Sequence, residues 1–414
     1  MFNVLITLWV VSLALGQFGI VLGSEFGGLY FSDIFAGLFV LYGFIYLAIS
    51  PNRRIILPKV YIFFLLFFFW NVISLIFNSQ FFSLEELVFS SFYFIRLCLY
   101  ILAGILIFNG LREGVLNKNF IFLTIFYALA LVFSGFTQLI FFPNFSLLDP
   151  SLGWDPHINR LLGTLFDPNF MGATLVFCFN IIFSWVPPKK YSIPFSLLLS
   201  LILLAILLTF SRSAWLMLAV SIFLWGVIKD PKLLLISLLI GFLAYFAVPR
   251  VQTRISSITD PADSAHFRFI SWLNTLDIAR NNFILGTGYN TFRFVQKDTG
   301  YFGLGWGGKS GGGSDSSLLL IMATTGIPGL FLFCLFLFYP LFSSFRVLSS
   351  RILGMSLPDG EEVFHNHVSY AQVMLVSFPA LVVNSFFINS FFYPQIMFLW
   401  NLVLGGFIFS CNEP

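Results

Sequence analysis

Residues 207–220 read LLTFSRSAWLMLAV. Leu207, Leu208 and Phe210 stand before Arg212, Trp215, Leu216 and Leu218 stand after it, and Ser211 and Ser213 flank it. A charge between two apolar runs costs about 3 kcal/mol on insertion scales unless it meets an anion or a water-filled cavity. The stretch therefore reads as two membrane helices joined by almost no loop, with a guanidinium in the reversal. One reading is an interfacial arginine that snorkels to the headgroups. The tight reversal, the paired hydroxyls and the fit of a planar guanidinium to phosphate favour an anion site instead.

The rest of the chain supports the membrane reading. Its 58 Phe outnumber the 39 charged residues (21 Lys and Arg, 18 Asp and Glu) among 414, too few charges to cover a water-soluble surface. Apolar stretches approach the roughly 20 residues that cross a bilayer core of about 30 Å. The expected fold is an all-α polytopic membrane protein of about twelve transmembrane helices, a single integral membrane domain over residues 1–414. The spans are read at 3–22, 33–49, 58–77, 91–109, 120–142, 168–186, 192–210, 213–229, 232–248, 316–342, 369–387 and 391–410. No Lys or Arg precedes Arg53 and no small-residue cleavage site follows the first apolar run, so 3–22 reads as a retained span. Cys98, Cys178, Cys334 and Cys411 fall inside apolar runs without C-x-x-C spacing, which indicates neither a disulfide framework nor zinc.

Connections rich in Lys and Arg (Arg53, Arg54 and Lys59; Arg112 and Lys118; Lys189 and Lys190; Lys229 and Lys232; Arg346 and Arg351) alternate with connections holding Glu25, Glu85, Glu86, Asp149, Asp155 and Asp167. The positive-inside rule puts the first set, both termini and a loop over 343–368 in the cytoplasm. Two longer connections then face outward, 143–166 and 249–315, and the second is the expected catalytic loop. Nine Lys or Arg lie outside, from Arg160 to Lys309, and seven of them are in 249–315. A long loop crosses regardless of charge, so these cations point to an anionic partner.

Asp167–Pro168 and Asp230–Pro231 read as helix starts, and so does Asp260–Pro261 with Asp263 three residues on. The last predicts a loop helix from about 261 to 280 at the membrane surface, with Phe269, Leu273 and Leu276 near one face and Arg268 beside Trp272. Gly286 and Gly288 permit a tight turn or close backbone approach. Seven glycines between 303 and 313 suggest mobility without substrate.

Arg268 and Arg280 are candidates for second and third contacts to a phosphate-bearing lipid; the alternative is a solvated helix face. Asp315, at the start of a span, reads as a helix cap and as a general base. His266 and His157 are rival bases, though both read more simply as polar surface residues. His365 and His367, two apart near Glu361 and Glu362, are a weak metal pattern, and no metal or cofactor site is assigned. No P-loop, dinucleotide fingerprint or nucleophile elbow occurs, so neither ATP nor a nucleic-acid partner is expected. Arg96 lies within a span, unexplained except by a lipid-facing groove or an outer acidic partner.

Three motifs in order, TFSRSAW, then RFISWLNTLDIARNNFILGTGYNTF, then SDSSLLLIMATTGIPGLFLF, resemble the O-antigen ligase and polymerase superfamily of bacterial membrane proteins over roughly residues 160–335. The resemblance implies a GT-C-like, metal-independent glycosyltransferase. It would draw a glycan from undecaprenyl pyrophosphate on the outer face of the cytoplasmic (inner) membrane. It carries the pyrophosphate-holding role to Arg212 and Arg268. Ligases of the superfamily commonly carry a His-Asn pair where this chain reads Ser314-Asp315-Ser316, which leans the reading toward a polymerase of surface polysaccharide. Inverting displacement would use Arg212, Arg268 and Asp315 as catalytic residues. Arg280 and Arg160 would contact substrate, and Trp272, Tyr289 and Trp306 would offer sugar-stacking faces. The expected partners are polyprenyl-pyrophosphate-linked glycans and membrane lipids, with a chain-length regulator as a candidate. A ligase, which would alter the acceptor, and a transporter or flippase, which would concentrate polar residues along its spans, stand as the rival functions.

Overall fold

The computed structural model describes residues 1–24, 27–49, 54–117, 120–145, 157–257, 264–301, 313–352 and 369–411. Asp260–Pro261 with Asp263, Trp306 with most of the glycine-rich stretch, and His365 and His367 lie outside the described residues. Within them the chain is an all-α membrane protein with one small hairpin. Its first helices are α1 (Phe2–Leu15), α2 (Phe31–Ile49), α3 (Val60–Asn78), α4 (Leu84–Arg112) and α5 (Phe120–Phe141). Then come α6 (Pro168–Ser184), α7 (Ser192–Leu208), α8 (Arg212–Ile228), α9 (Lys232–Ala247) and α10 (Pro249–Ser256). The last are α11 (Ser264–Asn281), α12 (Phe292–Asp298), α13 (Ser317–Ile352), α14 (Tyr370–Ser385) and α15 (Pro394–Ser410). The hairpin pairs β1 (Ile20–Ser24) antiparallel with β2 (Gly27–Tyr30).

Each of the twelve expected intervals holds a helix, but they do not all qualify as spans on length. Among the described residues seven helices are long and apolar enough to cross a membrane, eight if α9 and α10, bent by 97°, count as one. The other four, α6, α8, α14 and α15, have 16 or 17 residues. At 1.5 Å per residue they reach about 25 Å, short of a hydrocarbon core of about 30 Å. They pack on one another in the middle of the bundle: α8 and α14 are both against α6, α14 lies on α8, and α15 on α14. α9 is the opposite case. None of its residues is fully buried; Leu234 lies against Gly226 of α8, while Leu235, Leu238, Leu239, Phe242, Leu243 and Phe246 are exposed on the outside of the bundle.

The first expected span is also cut short. α1 ends at Gly16, whose φ of +52° suits glycine, and a Cβ there would overlap the carbonyl of Thr164. Thr164 Oγ1 donates to Ala14 O at 2.8 Å, so the 157–166 segment closes over the end of α1. Residues 20–24 leave the helix for the hairpin, and Arg96 explains why. Its Nε donates to Asp33 Oδ1 (2.8 Å) and its Nη2 to Asp33 Oδ2 (2.7 Å) and to Gly28 O in β2 (2.5 Å). The guanidinium also lies 5.0 Å from the Tyr93 ring centroid and 5.6 Å from that of Tyr30. The acidic-partner reading of Arg96 is the correct one: the pair pins the hairpin to α2 and α4. Removing one member leaves a buried, uncompensated charge, so Arg96→Leu is expected to cost about 3–5 kcal/mol. Arg96→Leu combined with Asp33→Leu should recover most of that in detergent unfolding. Simple additivity of the two single changes would show that the pair is not coupled.

α13 is broken at Gly326 (φ +69°, ψ −175°), and the break is fully bonded. Residues 283–288 lie along it, with Thr287 N donating to Ala323 O (3.0 Å), Gly288 N to Thr324 O (2.9 Å) and Ile327 N to Phe283 O (3.0 Å). The close approach expected at Gly286 is here, since a Cβ would overlap the Thr324–Thr325 peptide. Three residues four apart on α3 finish the bonding. Trp70 Nε1 donates to Thr325 O (2.7 Å), Ser74 Oγ to Leu285 O (2.5 Å) and Asn78 Nδ2 to Gly286 O (3.1 Å). Irregular backbone at membrane depth persists only where protein satisfies its polar groups, as it does here.

Candidate functional site

The α7–α8 reversal is the floor of the site. Ser211 caps α8: its Oγ accepts from Ala214 N (3.3 Å) and donates to Asn169 Oδ1 (2.7 Å) in the first turn of α6. That cap leaves Arg212 as the first residue of α8. A cation there adds to the positive end of the helix dipole, a position that suits anion binding rather than helix stability. Arg212 Nη1 donates to Arg254 O (3.1 Å) and Nη2 to Ser264 Oγ (3.1 Å), so it joins the end of α10 to the start of α11.

Two further segments close on the same turn. Phe145 N donates to His157 O (2.8 Å) and Asn159 N to Pro143 O (2.7 Å), a short pairing that presents Arg160 to the reversal. Arg160 is buried; its Nε donates to Thr209 O (2.9 Å) and its Nη2 to Phe210 O (3.3 Å). Phe210 has a φ of +49°, and these bonds hold that turn. α10, folded across the bundle end by the 97° bend, carries Arg250 and Arg254 four residues apart, on one face. Arg250 donates to the carbonyls of Ile158 and Asn159 and lies 4.3 Å from the Phe210 ring centroid.

Asp315 enters from the opposite side. The cap of α13 falls to Ser316, whose Oγ accepts from Leu319 N (3.4 Å), which leaves the Asp315 carboxylate for other partners. Ser271 of α11 holds the backbone at Asp315, its Oγ accepting from Asp315 N (3.2 Å). Trp272 Nε1 reaches Asp315 O at 3.5 Å, and Thr275 Oγ1 donates to Ser314 Oγ (2.9 Å). α11 thus turns Ser271, Thr275, Ile278 and Ala279 toward α13. Phe269 and Leu273 stay 54% and 51% exposed on its other side, the arrangement expected of a helix at a membrane surface.

The charges of these segments act on one another. Burial lowers the pKa of Arg160, Arg254, Arg250 and Arg268 lower it further, and only Asp167 opposes them. An arginine stays charged at physiological pH, so the shift reflects first its burial and then three neighbouring cations that Asp167 only partly offsets. Burial, then Arg160, keeps the His157 pKa below its ordinary 6.5, which leaves the ring neutral at pH 7. Burial raises the pKa of Asp315; Arg268 pulls it back, and Asp167 raises it again. Asp167 meanwhile caps α6, accepting from Asn169 N (2.6 Å) and Phe170 N (3.1 Å).

Of the residues singled out in the sequence, Arg212, Arg160, Arg268, Trp272 and Asp315 come together. Arg280 does not: it lies twelve residues along α11 from Arg268, about 18 Å at 1.5 Å per residue. Tyr289 is in the core at 6% exposure, beside Phe94 and Phe392, so it offers no sugar-stacking face. His266 is exposed beside Phe267. His157, read as a surface residue, is instead within reach of Arg160, its Nδ1 3.4 Å from Nη1. Sequence reading gave Arg250 and Arg254 no role beyond their charge, and Asp167 none beyond its cap and its place in an outer connection. The four-residue spacing of the two arginines, just after Pro249, was the available signal.

No curated protein matches the chain. Residues 197–334, from α7 through the reversal and α11 to beyond the break in α13, match the model of the O-antigen ligase family, and the three motifs that resemble the ligase and polymerase superfamily all lie within that stretch.

Proposed function

We propose that the protein is a glycosyltransferase that polymerises polyprenyl-pyrophosphate-linked repeat units on the outer face of the bacterial cytoplasmic membrane. The observation that carries the reading is the gathering of Arg160, Arg212, Arg250, Arg254 and Arg268 near Asp167 and Asp315 at one end of the bundle, with the charge of Arg160 disfavoured by burial and then by its cationic neighbours. A pyrophosphate supplies the missing negative charge. Arg160 and Arg250 each donate to two backbone carbonyls and so shape the turn, while Arg212 gives one bond to the Arg254 carbonyl and one to the Ser264 hydroxyl, which a stronger acceptor would displace. Arg212 and Arg268 then stabilise the leaving group. Asp315 takes the proton from an acceptor hydroxyl, and the oxygen attacks the anomeric carbon. The bond to the pyrophosphate oxygen breaks, and the pyrophosphate departs with the electron pair as the configuration inverts. Charge grows on the leaving group in the transition state, where fixed cations are most effective, and the arginines supply it without calling on a metal. The alternation of basic and acidic connections supports placing this end of the bundle outside and both termini in the cytoplasm.

The description of the matched family favours one second reading, a ligase. Purified protein in detergent, given a lipid extract from producing cells that lack it, separates the two. A ladder of lengthening lipid-linked glycan is the expected result. A single transfer to a new lipid or protein acceptor would make it a ligase. Neither product, with substrate present in the extract, would return the transporter.

A further inference from the structure

The segment that joins α14 to α15 reads Asn384-Ser385-Phe386-Phe387-Ile388-Asn389-Ser390-Phe391-Phe392, with Asn-Ser-Phe-Phe twice. It lies beyond the family match. Its phenylalanines pack normally: Phe391 and Phe392 are against Phe333, and Phe387 lies 5.7 Å from the Trp272 ring. Its polar groups do not. Asn384 is fully buried, and neither its Oδ1 nor its Nδ2 has a hydrogen-bond partner among the described residues. The same is true of Asn389 Oδ1 and of Ser390 Oγ, which is also fully buried. A buried polar atom left unbonded costs about 1–3 kcal/mol, and native proteins hold few of them. Four in seven residues is a concentration.

Their place is fixed relative to Asp315. Ser317 Oγ donates to Ile388 O (3.3 Å) and accepts from Phe391 N (3.3 Å), which ties the turn to the start of α13. Asn389 Nδ2 stands 3.3 Å from where a Cβ would be on Gly313, two residues before Asp315. Phe387 touches Trp272, whose indole reaches the Asp315 carbonyl. α14, which ends in Asn384 and Ser385, packs against α6, α8 and α13, whose first residues are Pro168, next to Asp167, then Arg212, and Ser317, two residues after Asp315.

We propose that Asn384, Asn389 and Ser390 form the acceptor subsite, which receives a neutral polyhydroxy sugar and holds one hydroxyl toward Asp315. The chemistry of the groups selects this class of ligand. Amides and a hydroxyl both donate and accept, as sugar hydroxyls do, and carry no charge for a phosphate. The arginine cluster has the opposite character. The two therefore divide the substrates, pyrophosphate on the arginines and acceptor sugar on the amides. The subsite rests on the glycosyltransferase reading, and the test separates the two claims.

Full-length Asn384→Leu and Asn389→Ala would be compared with wild type on the same lipid extract, with kcat and KM measured separately. Farnesyl diphosphate, a short pyrophosphate lipid, would be the donor-site probe through its protection against thermal unfolding. The expected result for Asn384→Leu is a melting temperature at or above wild type, since an unbonded buried amide is lost. Farnesyl diphosphate protection should persist, with KM for the extract raised at least tenfold and kcat less affected. Asn389→Ala should show the same split, which keeps the test sound if Asn384→Leu does not fold. Variants equal to wild type in KM and kcat would overturn the subsite and leave the enzyme reading intact. Loss of farnesyl diphosphate protection in folded variants would overturn it too, by assigning the amides to the pyrophosphate. A wild type that transfers nothing would remove the glycosyltransferase reading and the subsite with it.

Discussion

Arg212→Ala, purified and given lipid-linked glycan, should make no ladder, with kcat/KM down at least about a hundredfold, or about 2.7 kcal/mol of transition-state stabilisation. The change should leave the fold in place. The α8 cap belongs to Ser211, and Arg212 makes its bonds to Arg254 O and Ser264 Oγ at the half-buried surface of the turn. Arg212→Lys keeps the charge but loses the planar fork, so it should recover only part of the rate. Arg160→Ala is a different experiment. It would free the carbonyls of Thr209 and Phe210 and loosen the turn itself, so its loss of activity should come with a loss of thermal stability. A folded Arg212→Ala with wild-type kcat/KM would end the case for Arg212 as the pyrophosphate clamp.

Asp315→Asn should lower kcat by about a hundredfold to ten-thousandfold, the usual worth of a positioned base, and leave farnesyl diphosphate protection unchanged. The pH dependence gives a second readout. Burial, opposed by Arg268, raises the pKa of Asp315, so the carboxylate gains its proton at a higher pH than an ordinary aspartate. Wild-type activity should therefore fall on acidification with a midpoint above 3.8, and the residual rate of Asp315→Asn should not follow that limb. Stability runs the other way for this group. A raised native pKa contributes stability below the unfolded pKa, and the contribution disappears as pH rises through the native value. The lowered pKa of His157 has the reverse sign, its contribution being lost as pH falls below 6.5. The difference between wild type and Asp315→Asn isolates the carboxylate. Equal kcat in the two proteins across pH would remove Asp315 as base.

The sequence alone was enough for the helices and for part of the site. Runs of Phe and Leu broken by Asn, Pro and charged residues mark where helices begin, because in lipid the backbone has no other economical way to bond itself. The place of Arg212 was legible, a guanidinium in the reversal between two apolar helices, and its proposed role as an anion ligand starts from that place. Asp315 was legible for a similar reason, a carboxylate at the start of a span. What the sequence could not separate was lipid-facing from protein-facing apolar surface. Tyr289 and Trp272 read alike, yet Tyr289 packs against Phe94 while Trp272 lies beside Asp315. Nor could it show which polar residues serve the fold. Trp70, Ser74 and Asn78 bond a helix break and the segment along it, with partners 255, 211 and 208 residues away in the chain, and Arg96 bonds Asp33 across 63. Arg160, Arg250 and Arg254 became one electrostatic group with Arg268 only when α10 folded across the α7–α8 turn. Composition and periodicity are local properties and determine elements. Charge coupling falls with distance in space, and only the packed helices set that distance.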